Sequence, residues 1–343
     1  MAKKKSAPRP SPKGPPSSTK GPGIATGPSV AGPAAPKKKT ANLFSYPRIL
    51  PDEFVGSIQR LEKALKKNIL LFVHLTGPSG LNFIHPGIWA NFVANKSALC
   101  RPDMAILVDS PGGEAEVAYR IAKLLQRQCG EFTAIVPRVA KSAATLMVLG
   151  AEQIILGDDA DLGPLDAQYR DFDVAEDVVS ALDTVQAVEQ LEENAAQVAV
   201  NMLENLQVAT RKKYNSLIRH ALHFSADVTR PLFQGVDAVR YTREARVLKE
   251  AQDYAERLLR ARFPKKGHAR KIAEALVRNC PCHGFVIDLD EAKHLTTFTD
   301  ENGKEIELGL QVCPPPSDNV RKELDWLTSN MGNLAAFGYI IDA

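Results

Sequence analysis

Two short motifs between residues 105 and 168 carry residue types that are suited to acyl-transfer chemistry. Ser110-Pro111-Gly112-Gly113 follows a predicted strand, and Lys141-Ser142-Ala143-Ala144-Thr145 opens a predicted helix about thirty residues later. Paired glycines let bare backbone N–H groups approach a ligand, and a serine at the positive end of a helix can serve as a nucleophile. The alternatives are a turn that needs glycine and an ordinary helix cap. Together the motifs predict Ser142 as nucleophile beside an oxyanion hole formed from Gly112, Gly113 and Ala143.

Short apolar runs and helical patterns alternate around these motifs. Runs of strand length lie at 68–75, 104–109, 132–137 and 153–156. Between them the spacing of apolar residues predicts helices over 52–67, after Pro86, after Gly113 and over 142–151. Strand–helix alternation of this kind favours right-handed βαβ crossovers, and continuous apolar strands are typical of a parallel sheet that is covered on both faces. The predicted fold class is α/β.

The second half of the chain has a different character. Residues 173–223 are amphipathic and almost free of Gly and Pro, which predicts one or two long helices that pack along the domain or reach a neighbouring subunit. Further elements are then predicted in order: a break at 224–237, helices over 238–263 and 268–278, a strand over 283–287, and helices over 289–294 and 321–329.

Residues 1–40 have the composition of a disordered tail. They are rich in Lys, Pro, Gly, Ser and Ala and carry eight Lys, one Arg and no acid, a charge of +9 in a chain whose net charge is +3. Residues 41–343, the predicted folded domain, therefore carry −6. Such a tail cannot bury enough apolar surface to offset its ordering entropy. We expect a solubilising arm, and the alternative is a weak contact with an anionic partner.

The sequence offers little support for a secreted, membrane or metal-binding protein. We find no signal peptide and no apolar run long enough for a membrane span, so a soluble cytoplasmic protein is expected. The five cysteines are scattered, which predicts reduced thiols. Cys280-Pro281-Cys282-His283 lacks the spacing and the second ligand pair of a zinc site, and neither a metal nor an organic cofactor is expected.

The order SPGG, helix, strand, KSAAT helix, strand and LGPLD, which ends at Asp166, resembles the Clp/crotonase superfamily. Over residues 105–168 it most resembles the serine dehydrogenase proteinase family, which is related to signal peptide peptidase A. The resemblance implies Ser142 as nucleophile, with Gly113 and Ala143 as oxyanion donors. It also implies a Clp/crotonase-like core over 42–170, a mostly helical extension over 171–343, no cofactor, and assembly into homo-oligomers.

The general base stays open at this stage. Clp-type triads place a histidine about 25 residues after the serine, where this chain has none, and signal peptide peptidase relatives use a lysine instead. The sequence leaves several candidates: Lys141, Lys212, Lys213, Lys249 and His283. Asp166 could orient the base, position a water or cap its loop.

The function that these residues favour is a cytoplasmic serine peptidase acting on a peptide or protein substrate. Two alternatives remain. One is a catalytically silent scaffold that keeps the fold for assembly, with the basic tail tethering an acidic partner. The other is a crotonase-type enzyme that uses the same oxyanion donors on an acyl-CoA thioester.

Overall fold

The computed structural model describes residues 40–43, 50–74, 83–99, 101–166, 168–170, 178–332 and 334–341. Residues 38–343 form one unit. The predicted tail lies outside the described residues except for Thr40, so both the tail and its boundary stay predictions.

Helices make up most of the second half of the chain. Those of the described part are α1 (Asp52–Leu65), α2 (Pro86–Ala94), α3 (Lys96–Leu99), α4 (Ala115–Cys129), α5 (Ala143–Val148), α6 (Ala181–Thr210), α7 (Tyr214–Phe233), α8 (Ala238–Leu259), α9 (His268–Glu274), α10 (Leu289–Lys293) and α11 (Asp318–Asn330). A single π-helical turn, Ala275–Asn279, continues α9.

Strands occur at both ends of the chain. Those of the described part are β1 (Thr40–Leu43), β2 (Asn68–Val73), β3 (Met104–Asp109), β4 (Thr133–Val136), β5 (Val139–Ala140), β6 (Gln153–Leu156), β7 (Asp161–Leu162), β8 (Gln168–Arg170), β9 (Val178–Ser180), β10 (Thr296–Thr299), β11 (Glu305–Leu308), β12 (Val312–Cys313) and β13 (Ala336–Ile341).

The central sheet of the described part has the strand order β1-β13-β2-β3-β4-β6-β12. Strands β2, β3, β4, β6 and β12 run parallel, whereas β13 pairs antiparallel with β2 and β1 pairs antiparallel with β13. Strands β12 and β13 come from residues beyond the predicted 42–170 core. The C-terminal part therefore supplies strands to both sides of the sheet as well as helices.

Helices cover both faces of this sheet. One face packs against α1 and α11, and the other packs against α2, α4, α5, α8 and α9. Every residue of β3 is buried as a result, which is the physical reason for its apolar sequence from Met104 to Val108. The α/β fold class with a largely parallel sheet is confirmed.

The helical half differs from expectation in where it breaks. The predicted break at 224–237 is confirmed only at 234–237, because α7 continues to Phe233 and includes Pro231. The long amphipathic run before it divides into α6 and α7 at residues 211–213, where Arg211 has a left-handed φ of 56°. Contacts along the α6–α7 pair, including the hydrogen bond from Ser225 Oγ to the Ala195 carbonyl at 2.5 Å, hold α7 helical where its local sequence does not.

The predicted strand over 283–287 is also wrong. Only Ile287 forms a β-bridge, exchanging two backbone hydrogen bonds of 2.9 and 3.0 Å with Leu162. The sequence did not predict the β10–β11 hairpin. No helix in the described ranges is long and apolar enough to cross a membrane.

His74, which follows β2, is fully buried and creates a pH dependence in the fold. Its ring lies 5.1 Å from that of Phe72 and 4.9 Å from that of Phe337. Burial, together with the nearby His85, lowers the pKa of His74 from 6.5 to about 4. The folded protein therefore keeps this ring neutral at a pH where the unfolded chain binds a proton.

We predict that His74→Phe reduces the loss of stability between pH 7 and pH 4. The contribution of His74 is fully present above its unfolded pKa and is lost as the pH falls towards its folded pKa, by up to about 3 kcal/mol. Urea unfolding at pH 7.5 and pH 5 measures this difference. His220→Asn, at an exposed position on α7, is the control. Equal pH dependence in His74→Phe and the unsubstituted protein would contradict the prediction.

Candidate active site

Ser142 lies at the start of α5 in a conformation that ordinary helix caps do not adopt. Its φ and ψ are 49° and −118°, and its side chain makes no capping hydrogen bond. Positive φ is costly for a residue with a β-carbon and persists only where the surrounding structure imposes it. The hydroxyl is thereby left available for chemistry.

The glycine turn after β3 lies directly against this serine. Gly112 has a φ of 103°, and a β-carbon there would lie 2.6 Å from the carbonyl oxygen of Lys141 and 3.2 Å from the amide nitrogen of Ala143. The N–H of Gly112 donates to Ser110 Oγ at 3.2 Å and is used within the turn. Among the described residues no acceptor is found for the N–H groups of Gly113 and Ala143. The turn thus brings two unused backbone donors to the side of Ser142.

Thr145 fixes α5 to the LGPLD loop. Its hydroxyl donates to the Ala140 carbonyl at 2.6 Å and accepts from the N–H of Gly163 at 3.1 Å. The N–H of Leu165 then donates to the carbonyl of Leu276 at 2.8 Å, which ties the loop to the π-helical turn. These bonds set the position of Asp166, the next residue.

Asp166 is only 2% exposed, and both of its carboxylate oxygens have partners. His283 Nδ1 makes a short contact with Oδ1. Ser180 Oγ donates to Oδ2 at 2.8 Å and also accepts from the N–H of Leu182 at 3.1 Å, so Ser180 caps α6 and holds Asp166 at once. These two partners hold the carboxylate in place, and its contact with Nδ1 fixes the orientation of the histidine ring.

Ser142, Asp166 and His283 line the same cavity, which has a volume of about 530 Å³. Gly113 and Ala143 line it as well. A serine, a histidine, a carboxylate and two backbone donors therefore converge on one space, which is the set of groups that acyl transfer through a serine needs.

The lysine candidates lie elsewhere. Lys141 Nζ is 2.7 Å from Asp161 Oδ2, and Lys249 Nζ is 3.0 Å from Asp253 Oδ1. Lys212 and Lys213 are exposed between α6 and α7. None of the four lines the cavity.

The Cys-Pro-Cys-His segment contributes its histidine to the cavity. Burial, assisted by the nearby Glu291 and Asp166 carboxylates, raises the pKa of the Cys280 thiol to about 11, so this sulfur stays protonated. Within the described ranges no cluster of His, Cys, Asp and Glu could hold a metal ion.

Sequence reasoning had included Asp166 and His283 among its candidates but had not paired them, and it missed Ser180. The pair is separated by 117 positions, and no local pattern signals a contact at that distance. Ser180 does carry a signal, since a serine before a long amphipathic run is a typical helix cap.

The described residues form an α/β fold with a largely parallel sheet, and a serine, a histidine and a carboxylate line one of its cavities. A family model described as ClpP-like SDH-type serine proteinase matches residues 97–213, which confirms the resemblance predicted from the sequence and supports a serine peptidase at the level of the family. The matched residues include Ser142 and Asp166 but stop before His283.

Two uncharacterized proteins of Methanocaldococcus jannaschii are similar to this chain. MJ0137 is 25% identical over 197 residues, which are 57% of this chain and 53% of the relative. MJ1495 is 33% identical over 146 residues, which are 39% of this chain and 49% of the relative. The chain thus spans about half the length of the curated relatives that it matches.

We predict that Gly113→Ala destabilises the fold by about 2 kcal/mol or more. Gly113 has a φ of 142°, and a β-carbon there would lie 2.4 Å from the carbonyl oxygen of Ile84, so the backbone itself must move. Urea or thermal unfolding measures the loss. Gly284→Ala is the matched control because nothing lies within 4 Å of its β-carbon position. Equal stability of the two variants would refute the steric argument.

Proposed function

We propose that this protein is a serine peptidase in which Ser142 is the nucleophile, His283 the general base and Asp166 the residue that orients the base. The observation that carries the proposal is the Asp166–His283 contact in the cavity that Ser142 also lines. It supplies the proton acceptor that a serine nucleophile needs, and none of the candidate lysines lines that cavity.

The protonation of His283 follows from its partner. A charged carboxylate at Nδ1 favours a proton on that nitrogen, which leaves the lone pair of Nε2 as the base. Ser180, by donating to the other carboxylate oxygen of Asp166, prevents the carboxylate from rotating away from the ring. Ser180 is therefore a positioning residue in this proposal.

The reaction proceeds in two halves. Ser142 Oγ bonds to the peptide carbonyl carbon while its proton passes to His283 Nε2, and the N–H groups of Gly113 and Ala143 stabilise the oxyanion. The C–N bond then breaks as the imidazolium returns the proton to the departing amine. Water, deprotonated by the same histidine, hydrolyses the acyl-serine and regenerates the free hydroxyl.

The same geometry weakens the case for a silent scaffold, which depended on the lack of an identifiable base. A thioester-transforming enzyme would use the two backbone donors but has no need of the serine–histidine–aspartate arrangement. The peptidase is accordingly the function that uses every residue of the site.

Assembly into a homo-oligomer is part of the proposal. The side of α7 that is not buried carries apolar residues at helical spacing, among them Ile218, Leu222 and Leu232, with Leu222 56% exposed. A second copy of the chain that covers this side would remove the exposed apolar surface from water. Sedimentation of the protein and of Leu222→Asp tests it: the substitution is expected to lower the mass of the assembly, and a monomeric starting protein would exclude it.

We predict that a fluorophosphonate probe labels the full-length protein at Ser142 and that Ser142→Ala abolishes the labelling. His283→Gln should slow labelling at least about 100-fold because it removes the base, and Asp166→Asn should slow it roughly 100- to 10,000-fold because the wrong histidine tautomer is favoured. Rates are followed by the appearance of the labelled chain.

Two substitutions serve as matched controls. Ser329→Ala removes an exposed serine of α11. His294→Gln breaks a surface histidine–carboxylate pair, His294 Nδ1 to Glu307 Oε1 at 2.7 Å, that does not line the cavity. Folded protein that fails to react with the probe would disprove the peptidase and favour the scaffold. Turnover of an acyl-CoA without labelling would favour the thioester enzyme.

A further inference from the structure

The cavity beside Ser142 is lined by acidic side chains. Among the described residues, four carboxylates line it, those of Glu114, Glu116, Asp166 and Glu250, and no lysine or arginine does. Asp166 is engaged with His283 and Ser180, and Glu116 is paired with Arg120 one helical turn further along α4. Glu114 and Glu250 remain as the carboxylates that no cation neutralises within the described part of the chain.

Glu114 adjoins the oxyanion donors. It is the N-cap residue of α4, yet its exposed side chain makes no capping hydrogen bond. Its backbone follows directly after Gly113, whose N–H would hold the developing oxyanion. An uncompensated negative charge beside a site where negative charge develops opposes the reaction. A cation brought by the substrate would remove that opposition.

Glu250 approaches the cavity from a different element. It lies in the middle of α8. The helix dipole stabilises acids only near the start of a helix, so it does not stabilise Glu250. Tyr254 O–H donates to Glu250 Oε1 at 2.6 Å. The Tyr254 ring stacks on that of Tyr119 of α4 with centroids 4.3 Å apart. These contacts fix one oxygen of Glu250 and leave the other for a ligand.

Tyr254 holds this arrangement over a wide pH range. Burial, together with the Glu250 and Glu116 carboxylates, raises its pKa to about 12. The phenol therefore stays protonated and continues to donate to Glu250.

The remaining walls suit the stem of a long side chain. Phe83, Leu146, Val247 and Ala251 are apolar and line the same cavity. Lys and Arg side chains bury their methylene stems on such surfaces while their charged ends reach a carboxylate.

We infer that the cavity selects peptides with a lysine or arginine side chain next to the scissile bond, held between Glu114 and Glu250. This inference rests on the proposed peptidase function, because it names the substrate class of the same site. Acidic side chains at that position are disfavoured by repulsion from the same two carboxylates.

The test compares three diphenyl phosphonate probes that differ only in side chain: lysine-like, leucine-like and glutamate-like. In each case Ser142 Oγ bonds to phosphorus and phenol leaves. We expect the lysine-like probe to label the full-length protein about fivefold or more faster than the glutamate-like probe. The double variant Glu114→Gln/Glu250→Gln should lose this preference.

Glu192→Gln/Glu193→Gln is the matched control, because it makes the same charge change at two exposed positions of α6 outside the cavity. This control should keep the preference. Equal rates with the three probes, or a preference that survives in Glu114→Gln/Glu250→Gln, would overturn the inference.

A binding measurement separates this inference from the proposed function. Calorimetry with Ser142→Ala and two peptides that differ only by Lys or Glu reports charge selection without catalysis. One outcome is that the neutral fluorophosphonate probe fails to label the protein, yet the Lys peptide binds selectively and Glu114→Gln/Glu250→Gln abolishes that selection. In that case the peptidase is wrong, and the selection of cationic side chains by Glu114 and Glu250 stands. If labelling succeeds and both peptides bind equally, the peptidase stands and the selection of cationic side chains is wrong.

Discussion

The site depends on how one buried carboxylate is satisfied. Asp166 is almost completely removed from water, and an ionised carboxylate in that position is stable only if both oxygens have strong partners. His283 and Ser180 provide them. These two residues come from separate segments. The contacts of Asp166 therefore hold together the LGPLD loop, the start of α6 and the segment before Ile287.

A second constraint is steric and lies on the other side of Ser142. The glycine turn and the start of α5 approach each other so closely that a β-carbon on Gly112 would overlap the Lys141 carbonyl. Ser142 itself occupies a strained conformation. Strain of this kind survives only on a rigid support, and the fully buried strands β3 and β4 supply it. The parallel sheet therefore supports the Ser142 hydroxyl and the backbone donors and keeps them in a fixed position relative to each other.

The parts of the structure that sequence could predict are those with local causes. The run from β3 to β6 follows from apolar periodicity, glycine and helix-start chemistry, each of which acts within a few residues. Contacts with distant residues determine the end of α7, strand β13 and the His283 segment. For the His283 segment these include the two backbone hydrogen bonds between Leu162 and Ile287. Pro231 illustrates the difference: its local preference is to end a helix, and packing against α6 overrides it.

Within the site, too, some residues are placed by local sequence and others by contacts with distant residues. The match to the family model covers Ser142, the backbone donors and Asp166 but ends 70 positions before His283. A chain could keep everything in that region and still lack the histidine, since His283 reaches the cavity only where residues after α9 return to the loop. The pairing of Ile287 with Leu162 brings His283 to Asp166, so the C-terminal segment completes the group of residues on which the proposed peptidase depends. In this protein the histidine is present at that point, and the carboxylate that would orient it is already buried and held from its other side by Ser180.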